Sequence, residues 1–191
     1  MEKALYQQSS NCLRIVLFGP ESSGKTTLAA ALAKAFQTEW VPEFARSYLQ
    51  HKWDTSQEVC SLEDLHVIVH GQMEAENKAL KKADKLLFCD TNIWVTKVWS
   101  ETHFGGYCSP QINRWTKQVH YDHHLLTVPD MPWEKDDLRD RPNQREAQFE
   151  YFQKTLLENQ LPHTQISGSH QHRMEQATEV VQNLLQKNNA H

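Results

Sequence analysis

The sequence predicts an α/β fold of three layers, in which helices cover both faces of a parallel five-stranded sheet. Short apolar runs alternate with longer amphipathic segments along the chain, and the first apolar run leads directly into a glycine-rich turn. No internal repeat or low-complexity linker interrupts this alternation. A chain of 191 residues suits a single domain, for which we expect a core over 13–187 and flexible tails at 1–12 and 188–191.

Five segments have the composition of buried parallel strands, namely 13–18, 39–42, 85–90, 124–128 and 163–167. Helices are predicted over 27–36, 145–159 and 175–186. Two more are predicted from their caps: one from Ser61 to about Ala83, and one from Ser109 with Pro110 at its first position. In such a sheet, ligands bind at the carboxyl ends of the strands, so site residues are expected there.

Composition and charge exclude several classes of protein. The net charge of −4 gives no support to a nucleic-acid-binding surface. The polar start of the chain contains no signal-peptide core, and no run of 18 or more apolar residues exists to cross a membrane. Four cysteines without a C-x-x-C pair fit free thiols in a reducing compartment, so we expect a cytoplasmic protein whose oligomeric state stays open.

The segment GPESSGKT, residues 19–26, matches G-x-x-x-x-G-K-[ST] at every defined position, between a predicted strand and a predicted helix. In such a P-loop, glycines let successive N–H groups point inward, and the helix dipole adds to their positive field. Lys25 is expected to bridge the β- and γ-phosphates, and the Thr26 hydroxyl to ligate Mg²⁺. The predicted ATP-binding residues are Gly19, Glu21, Ser22, Ser23, Gly24, Lys25, Thr26 and Thr27.

The third strand ends in Asp90, which predicts a second metal-linked residue beside Thr26, in the manner of a Walker B aspartate. Thr91 follows Asp90, so the glutamate that polarises water in motor-type ATPases is missing. The sequence also lacks N-K-x-D, D-x-x-G and L-S-G-G-Q segments, which argues against GTPases and transporter ATPases. These patterns favour a small-molecule kinase with a nucleoside- or nucleotide-kinase-like fold and a lid.

Glu43 is the candidate general base, because it lies where the second strand ends, on the same rim as the phosphate loop. Arg46 follows three residues later, and a solvated ion pair at a helix start is the alternative interpretation. The segment DDLRDRPNQR has the composition of a lid that brings Arg139 and Arg145 to the phosphates. Its interleaved aspartates leave a mixed-charge surface loop as the alternative.

Five aromatic residues follow the third strand within 22 positions, namely Trp94, Trp99, Phe104, Tyr107 and Trp115. Any one of them could belong to the core, but a flat or cationic acceptor would gain from stacking on such rings. We expect catalytic roles for Lys25, Glu43, Asp90, Arg139 and Arg145. The predicted substrate contacts are Glu43, Arg46, Trp40, Asn92, Trp94 and Asp136.

The segments GPESSGKTTLAAALA, VPEFARSYL, LLFCDTN and PWEKDDLRDRP together resemble the ribosylnicotinamide kinase domain of bacterial bifunctional NAD-regulator proteins, and stand-alone members of that AAA-type ATPase/kinase group. The resemblance covers about 13–185. It implies ATP and Mg²⁺ at the P-loop, a substrate-side role for Glu43 and Arg46, metal-linked Asp90, and lid residues Arg139 and Arg145. The reaction it implies is phosphorylation of the 5′-hydroxyl of nicotinamide riboside, a small nucleoside.

The sequence departs from that family in three respects. Only 18 residues precede the P-loop and no H-x-G-H motif occurs, so adenylyl transfer is not expected from this chain. Pro42 stands where the family has an aromatic residue before the glutamate, and Asp136-Asp137 replaces an Asp-Gly pair in the lid. Another nucleoside or nucleotide kinase, or an ATP-binding regulatory module with weak hydrolysis, remains an alternative function.

Overall fold

In the computed structural model, which describes residues 5–133 and 142–189, five parallel strands form one sheet in the order β2-β3-β1-β4-β5. The strands are β1 Leu13–Phe18, β2 Glu39–Val41, β3 Leu86–Asp90, β4 His123–Thr127 and β5 His163–Ile166. In the register, Leu17 lies opposite Asp90 and Phe18 lies opposite Leu126, so the carboxyl ends of β1, β3 and β4 meet at one edge. The predicted parallel five-stranded sheet is confirmed.

Helices connect the strands and cover both faces of the sheet. They are α1 Lys25–Phe36, α2 Phe44–Ser56, α3 Leu62–Leu80, α4 Ile93–His103, α5 Pro110–Thr116, α6 Arg145–Glu158 and α7 His170–Asn189, with a short 3₁₀ turn at Pro142–Gln144. The predicted caps are confirmed: the Ser61 side chain accepts a hydrogen bond from the Asp64 N–H, and the Ser109 side chain accepts one from Ile112.

Two helices differ from the sequence prediction. No helix is predicted over α4, because its β-branched and aromatic residues favour strands. The Asn92 side chain caps α4 by accepting hydrogen bonds from the N–H groups of Trp94 and Val95, and tertiary packing overrides the local preference. Helix α7 begins five residues before the predicted start at Glu175, since its polar first turn carries no apolar periodicity.

The core has two parts, one on each face of the sheet. On one face, α1 and α7 pack against Ile15, Leu17 and Phe88. On the other face, residues from α3, α4, α5 and α6 pack against Val16, Phe18 and neighbouring strand residues. This division decides which side chains can reach a site, because successive strand residues point to opposite faces.

The segment before β1 is attached to the core by hydrogen bonds, although the sequence predicts a flexible tail there. The side chain of Gln7 donates to the His120 carbonyl at 3.0 Å and accepts from the His120 N–H at 2.8 Å. All four cysteines are free thiols. Within the described ranges, every helix is too short or too polar to cross a membrane.

Candidate active site

The turn between β1 and α1 has the backbone of an anion-binding loop. Gly19, Ser22 and Gly24 all have positive φ values, at 142°, 51° and 79°, and Gly24 caps α1. A Cβ atom on Gly19 would lie 2.8 Å from the Thr127 carbonyl oxygen, and one on Gly24 would lie 2.8 Å from the Met131 sulfur. The tight turn therefore requires glycine at both ends. It places the first N–H groups of α1, which have no partner within the helix, at the carboxyl edge of the sheet.

Two carbonyl oxygens of this loop are bound by arginines from other elements. The Ser22 carbonyl accepts a hydrogen bond from Arg145 at 3.2 Å, and the Ser23 carbonyl accepts one from Arg173 at 2.7 Å. The Ser23 hydroxyl donates to the Pro20 carbonyl at 2.7 Å and lies 2.7 Å from the Thr127 hydroxyl. These contacts fix the loop against the end of β4.

Thr26 and Asp90 form a site that suits a hard divalent cation. The Thr26 hydroxyl donates to Asp90 Oδ2 at 2.5 Å. Asp90 is only 1% exposed, and among the described residues its second oxygen, Oδ1, has no hydrogen-bond partner. Burial raises the pKa of Asp90, while Lys25 and the Thr26 hydroxyl act in the opposite direction. An exposed hydroxyl beside a buried carboxylate at the head of a phosphate loop fits Mg²⁺, which prefers oxygen ligands and keeps several waters.

A dedicated metal cage is not found. Across 5–133 and 142–189, no group of three or more His, Cys, Asp or Glu side chains could hold a metal ion. Mg²⁺ is usually held by one or two protein oxygens together with substrate phosphates and water. Lys25 lies beside the same site, where its ammonium group donates to the Pro20 carbonyl at 2.7 Å.

The loop opens into a cavity of about 450 Å³ that has a polar end at the P-loop and a second end where apolar and polar side chains are mixed. The polar end contains every predicted P-loop residue, together with Asp90. The other end is lined by residues of α2, α3, α4 and α6, namely Ala45, Arg46, Leu49, Leu65, Ile68, Gln72, Val95, Thr96, Trp99, Thr102, His103, Gln148 and Phe152. The volume and this lining suit a small organic molecule placed next to a triphosphate.

Glu43 is one of the residues that line the cavity. It is the N-cap residue of α2, two residues after the end of β2, and its side chain makes no capping hydrogen bond. Glu43 and Arg46 both line the cavity that contains the P-loop and Asp90, as the sequence predicts. A carboxylate in this position has the placement required of a base that acts on an acceptor hydroxyl.

Helix α2 has no fully buried residue of its own. Its polar contacts to α3 therefore contribute to its position. The side-chain oxygen of Gln72, a residue that is 3% exposed, accepts a hydrogen bond from the Phe44 N–H at 2.9 Å. Farther along α2, Tyr48 donates to Asp64 at 2.7 Å and Lys52 donates to Asp64 at 2.6 Å. These contacts fix the helix that begins at Glu43.

Three of the predicted substrate contacts lie elsewhere. Trp40 packs with the α1 and α7 face of the sheet, because it alternates with Val41 along β2. Trp94 is 5% exposed and belongs to the core on the opposite face. Asn92 is 1% exposed and caps α4, with His124 as a further neighbour. None of these three residues is among those that line the cavity, and their contact with an acceptor stays a prediction.

The aromatic wall of the cavity comes instead from Trp99 and His103, one turn apart on α4. Their rings are stacked, with centroids 3.9 Å apart and planes 7° from parallel, and both residues line the cavity. Trp99 and Trp94 both belong to the aromatic cluster noted in the sequence, but they lie on different faces of α4. The sequence analysis predicts no helix there, so it could not tell which of the two tryptophans faces the cavity.

The predicted lid residues are only partly covered by the structure. Arg145 begins α6 and contacts the backbone, donating to the Met131 carbonyl at 2.8 Å and lying over the Trp133 ring at 5.7 Å. Its guanidinium group thus binds the back of the P-loop and the segment after β4. Asp136 and Arg139 lie outside the described residues.

Sequence reasoning missed two residues that hold the site together. Gln72 interrupts the apolar face of α3 four residues after Ile68, and a polar residue on such a face is a signal for a buried hydrogen bond. Arg173 carries no comparable signal, because it stands in a polar segment at the start of α7. Its contacts with the P-loop depend on the return of the chain from β5.

Comparison with known proteins finds a curated sequence that is similar to this chain. The chain is 28% identical over 125 residues to the trifunctional NAD biosynthesis/regulator protein NadR of Escherichia coli strain K12, which covers 65% of this chain and 30% of that protein. The chain thus spans less than a third of the length of this relative.

Solved structures show the same fold. A crystal structure of NadR protein in complex with NR matches with a TM-score of 0.72 at 18% identity, covering 91% of this chain and 51% of that one. Thymidylate kinase from Candida albicans matches with a TM-score of 0.65 at 18% identity, covering 95% of each chain. The fold is that of P-loop nucleoside and nucleotide kinases, and a family model matches residues 14–173, so the chain belongs to the AAA domain family.

Proposed function

We propose that the protein is an ATP-dependent kinase that phosphorylates the 5′-hydroxyl of nicotinamide riboside to give the mononucleotide. The observation that carries this proposal is one cavity that joins the P-loop and Asp90 to the carboxylate of Glu43 and to a second end with stacked rings. Sequence relation to NadR, and the structural likeness to NadR in complex with NR, favour this acceptor over other nucleosides.

In the proposed reaction, the residues at the polar end bind and orient the triphosphate. The N–H groups at the head of α1 and the Lys25 ammonium group hold the phosphate oxygens. Thr26 and Asp90 would hold Mg²⁺, which supplies positive charge to the transferring phosphoryl group when it is bound. Because Asp90 is buried and already bonded to Thr26, the site requires little rearrangement to accept the cation.

Glu43 would act on the acceptor. Its carboxylate accepts the proton of the 5′-hydroxyl while the hydroxyl oxygen forms a bond to the γ-phosphorus. The bond between that phosphorus and the β,γ-bridging oxygen breaks, and ADP leaves with the electron pair. Arg46, on the next turn of α2, lies in the same cavity and can neutralise charge near the reacting groups.

The end of the cavity that carries the stacked rings suits a flat, positively charged ring. A pyridinium placed against the Trp99 and His103 rings would gain about 0.5–2 kcal/mol from the aromatic face. The cavity lining contains the carboxylates of Glu21, Glu43 and Asp90 together with the cations of Lys25 and Arg46, so the charge of the lining does not by itself select the acceptor. The stacked rings favour nicotinamide riboside over an uncharged nucleoside.

Two alternative functions rest on specific observations. The likeness to thymidylate kinase keeps another nucleoside or a nucleoside monophosphate open as acceptor. The absence of a glutamate after Asp90 in the sequence permits an ATP-binding module that transfers no phosphate to a small molecule.

The test is ADP release, measured with MgATP or MgGTP and with a panel of acceptors that includes nicotinamide riboside, common nucleosides and nucleoside monophosphates. Strong stimulation by nicotinamide riboside alone, with the mononucleotide identified as product, supports the proposal. Stimulation by another acceptor replaces it with the first alternative, and indifference to every acceptor replaces it with the second. A Lys25→Ala variant controls for contaminating ATPase activity.

A further inference from the structure

Arg173, in the first turn of α7, is one of the most deeply buried charged residues in the part of the chain that the structure describes. It is 1% exposed, and its guanidinium group donates to the carbonyl oxygens of Gly168 at 2.8 Å, Ser23 at 2.7 Å and Val128 at 2.7 Å. It also forms an ion pair with Asp130. One side chain therefore joins the P-loop, the end of β4 and the loop after β5.

The contacts of Arg173 match its charge and shape. A buried guanidinium group is costly unless its donors are satisfied, and three backbone oxygens and one carboxylate satisfy them here. The Asp130 side chain is 34% exposed, and its other oxygen accepts a hydrogen bond from the Gly168 N–H at 2.6 Å. Lysine could not reach the same acceptors, because its donors radiate from one nitrogen atom whereas those of arginine form a planar fork.

The bond to Ser23 has a consequence for anion binding. In a phosphate-binding loop the N–H groups must face the anion, and a carbonyl oxygen turned inward would repel it. Arg173 holds the Ser23 carbonyl oxygen, and Arg145 holds that of Ser22, so two successive carbonyls are bound by donors outside the loop.

We propose that Arg173 is a positioning residue for phosphate binding, which orients the Ser23 peptide and places a fixed positive charge behind the P-loop. This inference rests on the proposed use of a nucleoside triphosphate, and it does not depend on which acceptor is phosphorylated. Arg173 touches no substrate in this role, since it acts through the backbone of the loop.

The test compares Arg173→Lys and Arg173→Met with the wild-type protein by calorimetry, with MgATP and magnesium tripolyphosphate as probes. Lysine keeps the positive charge but can donate hydrogen bonds to fewer of the carbonyl oxygens. We therefore expect the dissociation constants of the Arg173→Lys variant for both probes to rise about tenfold. Methionine keeps the stem and loses both functions, so we expect a rise of about a hundredfold or more. The dissociation constant for nicotinamide riboside should stay within about twofold in both variants, because the acceptor end of the cavity is formed by other elements.

Arg114→Lys is the matched control, since Arg114 is exposed on α5, and it should leave both dissociation constants unchanged. A variant that does not fold would bind both ATP and the nucleoside more weakly. If Arg173→Lys is folded and still loses affinity for ATP and for the nucleoside by similar factors, the proposal is overturned. Equal affinity of wild type and Arg173→Lys for tripolyphosphate would overturn it as well.

The outcome for the proposed function is separate. A wild-type protein that binds MgATP but does not phosphorylate nicotinamide riboside contradicts the proposed acceptor, and the comparison of the Arg173 variants remains decisive with tripolyphosphate. A wild-type protein that binds neither ATP nor tripolyphosphate overturns both proposals.

Discussion

Replacement of Asp64 by asparagine is expected to lower the free energy of unfolding and to loosen the helix that carries Glu43. Asp64 caps α3, where its side chain accepts from the Ser61 N–H at 2.7 Å, and it also accepts from Tyr48 and Lys52 of α2. Burial by itself raises the pKa of Asp64, but the hydrogen bonds from Lys52, Ser61 and Tyr48 outweigh it and hold the pKa at about 2.

The magnitude follows from this pKa. The ordinary value is 3.8, so the folded state favours the ionised form by nearly two pKa units, which corresponds to about 2.5 kcal/mol at neutral pH. Because the pKa is lower in the folded than in the unfolded state, this stabilisation is complete above pH 4 and is lost as the pH falls toward 2. The same arithmetic leaves about 1.3 kcal/mol at pH 3.

The assay is urea unfolding of wild type and Asp64→Asn at pH 7 and at pH 3. We expect a difference of about 2–3 kcal/mol at pH 7 that falls by roughly half at pH 3. Asp54→Asn is the control, since Asp54 is an exposed aspartate of α2, and it should change stability by less than about 0.5 kcal/mol at either pH. A difference for Asp64→Asn that does not change with pH would refute the reasoning.

Three further variants test the proposed reaction, and a fourth, Trp94→Leu, is the control for Trp99→Leu. Glu43→Gln should lower kcat by about 10²–10⁴ with little change in ATP binding, the usual scale for a lost general base, and a variant within threefold of wild type would remove Glu43 from that role. Asp90→Asn should raise the Mg²⁺ concentration needed for half-maximal activity by about tenfold or more, and an unchanged requirement would count against the metal assignment. Trp99→Leu should raise the KM for nicotinamide riboside by about two- to thirtyfold with the KM for ATP unchanged. Trp94 is buried, so Trp94→Leu should instead lower the free energy of unfolding by about 2–4 kcal/mol. If Trp94→Leu raises the KM for nicotinamide riboside and Trp99→Leu only lowers stability, then Trp94 rather than Trp99 contacts the acceptor.

The phosphate end of the site was predictable because its residues are close together in the chain. Gly19 to Thr27 occur in one segment, and the requirement for N–H groups at a helix start fixes both residue types and spacing. Asp90 and Glu43 followed from their positions at strand ends, because the carboxyl ends of parallel strands share one edge of the sheet.

The end of the cavity away from the P-loop, where we propose that the acceptor binds, was less predictable because its residues come from four separate helices. Trp40, Asn92 and Trp94 were chosen for their chemistry and closeness in sequence to the strand ends, but strand alternation and the phase of α4 turn them away from the cavity. When a helix consists of residues that favour strands, the sequence does not show which of its residues share a face. Trp99 and His103 lie on the cavity side of that helix.

By itself, the sequence determined the α/β class, the order of the strands along the chain and the position of the P-loop that we propose as the phosphate site, since each depends on local spacing. The tertiary structure decided which aromatic rings line the acceptor end and which buried polar side chains hold the site. Gln72 and Arg173 bind backbone groups 28 and 150 positions away, at Phe44 and Ser23. Such contacts arise when distant segments pack together, so the sequence pattern can signal that Gln72 is bonded but cannot name the partner of either residue.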